Sequence, residues 1–137
     1  MSTPSHNASL TIETLDHLVL YTQNIDDSVA FYENVLGMRK IVFGDNRIAV
    51  SFGKQKINLH PAQHPFHPHA LTPVPGAADL CFITQLALDE AMQQVRDLGV
   101  EILLGPVTRN GAVGEIQSFY IRDPDGNLLE IANRIEK

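Results

Sequence analysis

Four side chains in this 137-residue chain have the chemistry to share one cation: His17, His60, Asp79 and Glu130. Glu130 draws notice first, because it interrupts the apolar run Leu128-Leu129-Glu130-Ile131-Ala132, where a carboxylate buried without a partner is costly. Imidazole and carboxylate donors together suit Zn, Ni, Fe, Mn or Co, and a set without thiolate speaks against a purely structural zinc. The expected cofactor is therefore a divalent metal ion with positions open to substrate, ligated by His17, His60, Glu130 and Asp79. Asp79 reads two ways, as a ligand or as the carboxylate that orients a ligating histidine.

The elements that must position these residues are legible as a duplication. In Ser118 to Ala132, Asp123-Pro124-Asp125-Gly126-Asn127 supplies turn residues between two alternating runs, which predicts a hairpin. Earlier, residues 15–22 alternate as a strand, Asp26-Asp27-Ser28 supplies helix-start residues, and Gly37 stands where a left-handed cap is expected. Three short strands follow, near 39–43, 47–52 and 56–60, with turns at Gly44-Asp45-Asn46 and Gly53-Lys54-Gln55. The first unit thus reads βαβββ. A shift of 62 carries His17 to Asp79, Leu18 to Leu80, Thr22 to Thr84 and Gly37 to Gly99. After the helix a shift of 70 carries His60 to Glu130, with about eight residues added around Gly105 to Gly111. The expected fold class is α+β, with two tandem βαβββ modules forming a cupped mixed sheet and helices on its outer face.

Alternation assigns the faces. Leu18, Leu20, Ile57, Leu59, Leu80, Phe82, Leu129 and Ile131 face the helices, and the opposite parity carries the four candidate ligands. Tyr21, Asn58, Tyr120 and Arg122 are the candidate substrate-binding residues, although Arg122 is also within sequence reach of Asp123 and Asp125 at the turn. Cys81 reads as a reduced residue of the wall. A loop over 61–77, rich in Pro and His, links modules 14–60 and 78–134 of a single domain. Its His64, His67 and His69 read as solvated or as part of a lid. Residues 1–13 read as flexible, apart from Leu10 and Ile12, which suit an edge strand or a second subunit.

Ten basic against sixteen acidic residues give −6, with no basic run, so nucleic acid and anionic membranes are poor partners and a small-molecule substrate remains. One cysteine excludes an intrachain disulfide, and the opening residues have neither the charge nor the apolar run of a signal peptide. No stretch approaches the length of a membrane helix. The expected location is cytoplasmic.

The opening strand DHLVL, the helix end FYENVLGM and the closing SFYIRDPDGNLLEI, set in a duplicated βαβββ pattern, resemble the vicinal oxygen chelate superfamily. That superfamily includes glyoxalase I, extradiol dioxygenases, fosfomycin-resistance enzymes and metal-free bleomycin-binding proteins. The resemblance covers about residues 14–134 and is strongest to short glyoxalase-domain proteins labelled lactoylglutathione lyases or virulence-related. It implies a metal at the mouth of the cup on His17, His60, Asp79 and Glu130, with His60 at the position of a Glu in glyoxalase I. It also implies a homodimer and binding of substrate through two adjacent oxygens, with Glu130 as the catalytic base of a lyase or isomerase. Two alternatives stand beside this: an Fe(II) extradiol-type dioxygenase of catechol-like substrates using His17, His60 and Glu130, and a non-catalytic small-molecule-binding protein of the resistance or sequestration kind.

Overall fold

The computed structural model describes residues 8–136. Its first module runs β1 (His17–Thr22), α1 (Ile25–Asn34), β2 (Arg39–Phe43), β3 (Arg47–Phe52) and β4 (Gln55–Pro61). The second runs β5 (Asp79–Ile83), α2 (Leu88–Asp97), β6 (Leu104–Gly111), β7 (Gly114–Arg122) and β8 (Leu128–Arg134). Each module makes its own four-stranded sheet, in the orders β1-β4-β3-β2 and β5-β8-β7-β6. The α+β, two-module expectation holds. Among the described residues, however, the cup of one chain is two separate sheets with no strand pairing between them, and β1 and β5 each have one edge unpaired. Residues 8–16 add no strand, and Leu10 and Ile12 are exposed.

Local chemistry explains the elements. Helix α1 is capped by Asn24, whose side chain accepts from the Asp27 amide at 3.0 Å, two residues before the expected Asp26-Asp27-Ser28 start. Gly37 takes φ +65 after the helix, as its position predicts. Both helices lie on the apolar parity of their sheets. Leu20, Ile57, Leu59, Leu129 and Ile131 join Val29, Tyr32, Met92, Val95 and Phe119 in one buried cluster spanning both modules.

Two contacts couple the modules. The rings of Phe52 and Phe82 meet edge to face at 5.4 Å. The β7–β8 turn docks on α1, where buried Asp123 accepts from the Tyr32 hydroxyl at 2.6 Å, the Asn127 amide at 3.0 Å, Asn127 Nδ2 at 2.7 Å and the Asp125 amide at 2.9 Å. Asp125 reaches the same helix start through the Gln23 amide and the Ser28 hydroxyl. A carboxylate with four donors is strongly held. Burial and the charge of Asp123 push the Tyr32 phenol far above its ordinary range.

The strand register corrects the duplication. His17 pairs with Lys56 and Asp79 pairs with Leu128. Because His17 and Asp79 are counterparts, Lys56 must correspond to Leu128, and the shift over the last strand is 72, not 70. Asn58 is therefore the counterpart of Glu130, and His60 that of Ala132. The turn between β7 and β8 and the β6–β7 arms, each longer than its first-module counterpart, absorb the added residues.

Candidate active site

Paired residues share a face, so the inward side of the first sheet carries His17, Val19 and Tyr21 on β1, Lys56, Asn58 and His60 on β4, Arg47, Ala49 and Ser51 on β3, and Arg39, Ile41 and Phe43 on β2. His17 opens β1, half exposed, with Nδ1 2.8 Å from Asp16 Oδ2. A carboxylate on Nδ1 fixes the ring and leaves Nε2 with its lone pair outward, the arrangement of a metal-ligating histidine. Asn58 is buried, and its Oδ1 has no hydrogen-bond partner.

His60 occupies a different place. It lies opposite Tyr21, four residues along from the His17–Lys56 pair, about 13 Å at the rise of a strand. Its Nε2 lies 3.0 Å from Arg47 Nη2. A guanidinium only donates, so Nε2 is the acceptor and its lone pair is occupied. Burial first, then the Arg47 charge and His69, push the His60 pKa below the ordinary histidine value. Tyr21 and Phe66 meet the ring edge to face at 5.7 and 5.0 Å. In this arrangement His60 is buried among Arg47, Tyr21 and Phe66, further along the same sheet than His17.

The second face carries Asp79, Cys81 and Ile83 on β5, Leu128, Glu130, Ala132 and Arg134 on β8, and Ile116, Ser118, Tyr120 and Arg122 on β7. Glu130 Oε2 accepts from the Ser118 hydroxyl at 2.5 Å. Cys81 stands opposite it. Partial burial, and next the Glu130 charge, push the Cys81 thiol up to about 11, so it stays protonated at neutral pH. Asp79 is exposed at the start of β5, two residues from the Cys81–Glu130 pair. Tyr120 accepts from Arg109 Nε at 3.1 Å, and Arg122 donates to the Gly126 carbonyl at 3.1 Å, bonding the turn through its backbone and not through an aspartate. Beside Glu130 a hollow of about 370 Å³ is lined by Cys81, Ile83, Arg109, Ile116 and Arg134, among others.

Among the described residues of one chain, no three His, Cys, Asp or Glu side chains come together as a metal-binding group. The expected quartet is thus divided: His17 and His60 on the first sheet, at different heights, and Asp79 and Glu130 on the second. The 61–77 loop lies against the first face, with the Ala70 amide donating to the Tyr21 hydroxyl at 2.9 Å and the His67 and His69 rings 4.7 Å apart. Sequence reasoning passed over Arg47, Phe66 and the Ser118–Glu130 bond. The β3–β4 turn held the signal for Arg47, since pairing back from Gly53-Lys54 places it level with His60.

Comparison with known proteins agrees with this architecture. The chain is 49% identical over 124 residues to Virulence protein STM3117 of Salmonella typhimurium, covering 90% of this chain and 86% of that one. The crystal structure of that protein superposes with a TM-score of 0.91 over 92% of this chain and all of that chain, at 48% identity. An integron cassette protein from the mobile metagenome of V. cholerae superposes at 0.92 with 52% identity, over 93% of this chain and all of that chain. Metallothiol transferase FosB of Lysinibacillus sphaericus is 26% identical over 129 residues, 88% of this chain and 82% of that one. Residues 14–131 match the family model itself, and the chain belongs to the Glyoxalase/Bleomycin resistance protein/Dioxygenase superfamily.

Proposed function

We propose that the protein is a metal-dependent, glyoxalase-like lyase or isomerase acting on a small substrate through two adjacent oxygens, with its site completed between two copies of the chain. The single observation that carries this reading is the division of the donors. His17, oriented by Asp16, starts the free edge β1, while Asp79 starts the free edge β5 with Glu130 one strand in. Apposing the β1 edge of one copy to the β5 edge of another sets imidazole against carboxylates and covers both unpaired edges. The donor set fits a divalent ion: one imidazole nitrogen, two carboxylates and the unpartnered carbonyl oxygen of Asn58. FosB, a distant relative named a metallothiol transferase, adds support.

A bound divalent ion would act as Lewis acid toward the two substrate oxygens. The chain's own part is then to place a base. Glu130, with Oε2 accepting from the Ser118 hydroxyl, would hold or move a proton. Tyr21, Asn58, Tyr120 and Arg122 stand on the inward parity as substrate-binding residues. The cytoplasm is the proposed location; among the described residues no helix is long and apolar enough to cross a membrane.

The test is metal analysis of protein purified without a His-tag, followed by methylglyoxal-glutathione turnover with Ni or Zn and oxygen uptake with a catechol and Fe(II). One metal per chain, lost in His17→Ala and Glu130→Ala, with turnover in the first assay is the expected result. Oxygen uptake instead would transfer the reading to an extradiol-type dioxygenase. A second class, sequestration without chemistry, is favoured by one observation, that no donor trio converges in one chain. Protein that takes up no metal at any concentration would select it.

A further inference from the structure

We propose that Arg47 and His60, beneath the ring of Phe66, form an oxyanion subsite on the first sheet. All three buried side-chain atoms without a hydrogen-bond partner among the described residues are Arg47 Nε, Asn58 Oδ1 and His60 Nδ1, and all three belong to this one face. With Nε2 accepting from Arg47, a neutral His60 carries its proton on Nδ1. Two N–H donors, one of them on a permanent cation, are therefore buried with nothing to accept them. Buried donors of this kind are rare in folded proteins unless water, an ion or a ligand satisfies them.

Three further features point to an anion. The Arg47 guanidinium lies over two aromatic rings, 4.5 Å from Phe66 and 5.6 Å from Phe43, which strip water from it and strengthen its field. Among the described residues it makes no ion pair with a carboxylate. The inward parity of this sheet holds Arg39, Arg47 and Lys56 and no acid, in a chain of net charge −6. Lys56 Nζ stands 3.6 Å from the same Phe43 ring, so two cations flank one aromatic at the mouth of the subsite.

The roof is built by the 61–77 loop. Phe66 meets both His60 and Arg47, and Ala70 ties the loop to Tyr21. The ligand group that satisfies Arg47 Nε is a carboxylate or a phosphate, carried by a substrate whose other end extends along β4 toward Asn58 and His17, while His60, bonded to Arg47 through Nε2, holds the guanidinium in place. That orientation rests on the first face being the substrate's, as proposed above. The anion subsite itself does not require the metal.

The experiment titrates EDTA-treated wild-type protein with pyruvate and, separately, with inorganic phosphate, following the Arg47 Nε–H and His60 imidazole signals by 15N NMR. Saturable shifts at both residues are expected, and the tighter of the two probes identifies the anion class. Arg47→Lys keeps the charge but removes the Nε–H, and is expected to weaken binding at least tenfold. Phe66→Ala, on the loop and outside the buried core, is expected to weaken it less. Metal uptake by the same samples is measured in parallel, so failure of the subsite and failure of the metal reading are told apart. Shifts that stay linear with both probes, or Arg47→Lys binding like wild type, would overturn the proposal.

Discussion

The two inward faces are copies of one plan that have been finished differently. On the second face three polar side chains are already engaged: Glu130 by Ser118, Tyr120 by Arg109, Arg122 by a turn carbonyl. On the first, Arg47, Asn58 and His60 keep unpaired atoms under a roof of loop. A satisfied carboxylate is held rigidly in one pose, which suits a base or a ligand. Unpaired polar atoms on an inward face suit a group that arrives from outside. Duplication supplied the scaffold, and polar satisfaction divided the labour.

The comparison is most severely strained at the joint. Asp123→Ala would leave the buried Tyr32 hydroxyl and the Asn127 side chain without their acceptor, and a loss of about 3–5 kcal/mol is expected, as for breaking other buried charged networks. Urea denaturation checks it. A single shifted transition would show the modules to be one cooperative unit, and two transitions would separate them.

The glycines sharpen the contrast between modules. A Cβ at Gly105 (φ +130) would stand 2.7 Å from the Phe119 Cα and Cβ, whereas one at Gly53 (φ +52) would meet nothing within 4 Å. Gly105→Ala combines strain with an immovable neighbour and is expected to cost about 2–4 kcal/mol, against about 1 kcal/mol of strain for Gly53→Ala. Equal melting shifts would refute the close approach of β6 to β7. Tyr32→Phe removes one hydrogen bond to a carboxylate and is expected to cost about 1.5–3 kcal/mol.

The smallest effect is electrostatic and belongs to the first face alone. His60 has a folded-state pKa below its unfolded value, so the unfolded chain binds the proton more readily. Stability from this group is present above the unfolded histidine pKa and is lost as pH falls through it. Denaturation midpoints should decline as pH falls below about 6.5, and His60→Gln should flatten that slope. The slope surviving unchanged in the variant would assign it elsewhere.

Much of this was legible from the chain. Alternation and turn residues located the strands because each sheet has one apolar face, and Gly37 and Gly99 both take positive φ after their helices. The last-strand shift was only partly legible. A shift of 70 matches Leu59 with Leu129 but sets Ile57 on Asn127, whereas 72 matches Ile57 with Leu129 and Leu59 with Ile131, and hydrogen-bond pairing settles the choice and makes Asn58 the counterpart of Glu130. That slip set His60, in place of Asn58, level with Glu130 in the duplication, and the structure bonds His60 to Arg47. The split into two sheets was hidden, because nothing in a strand's own residues says whether its edge is covered by the same chain or by another.

The most direct test of a site shared between copies is complementation. His17→Ala and Glu130→Ala proteins are mixed, unfolded and refolded together, and their bound metal is counted. A site built from His17 of one copy and Glu130 of the other regains, in a random mixture of dimers, about a quarter of the wild-type metal, although each variant alone binds none. A refolded mixture that forms mixed dimers yet binds no more metal than its parents would contradict the account.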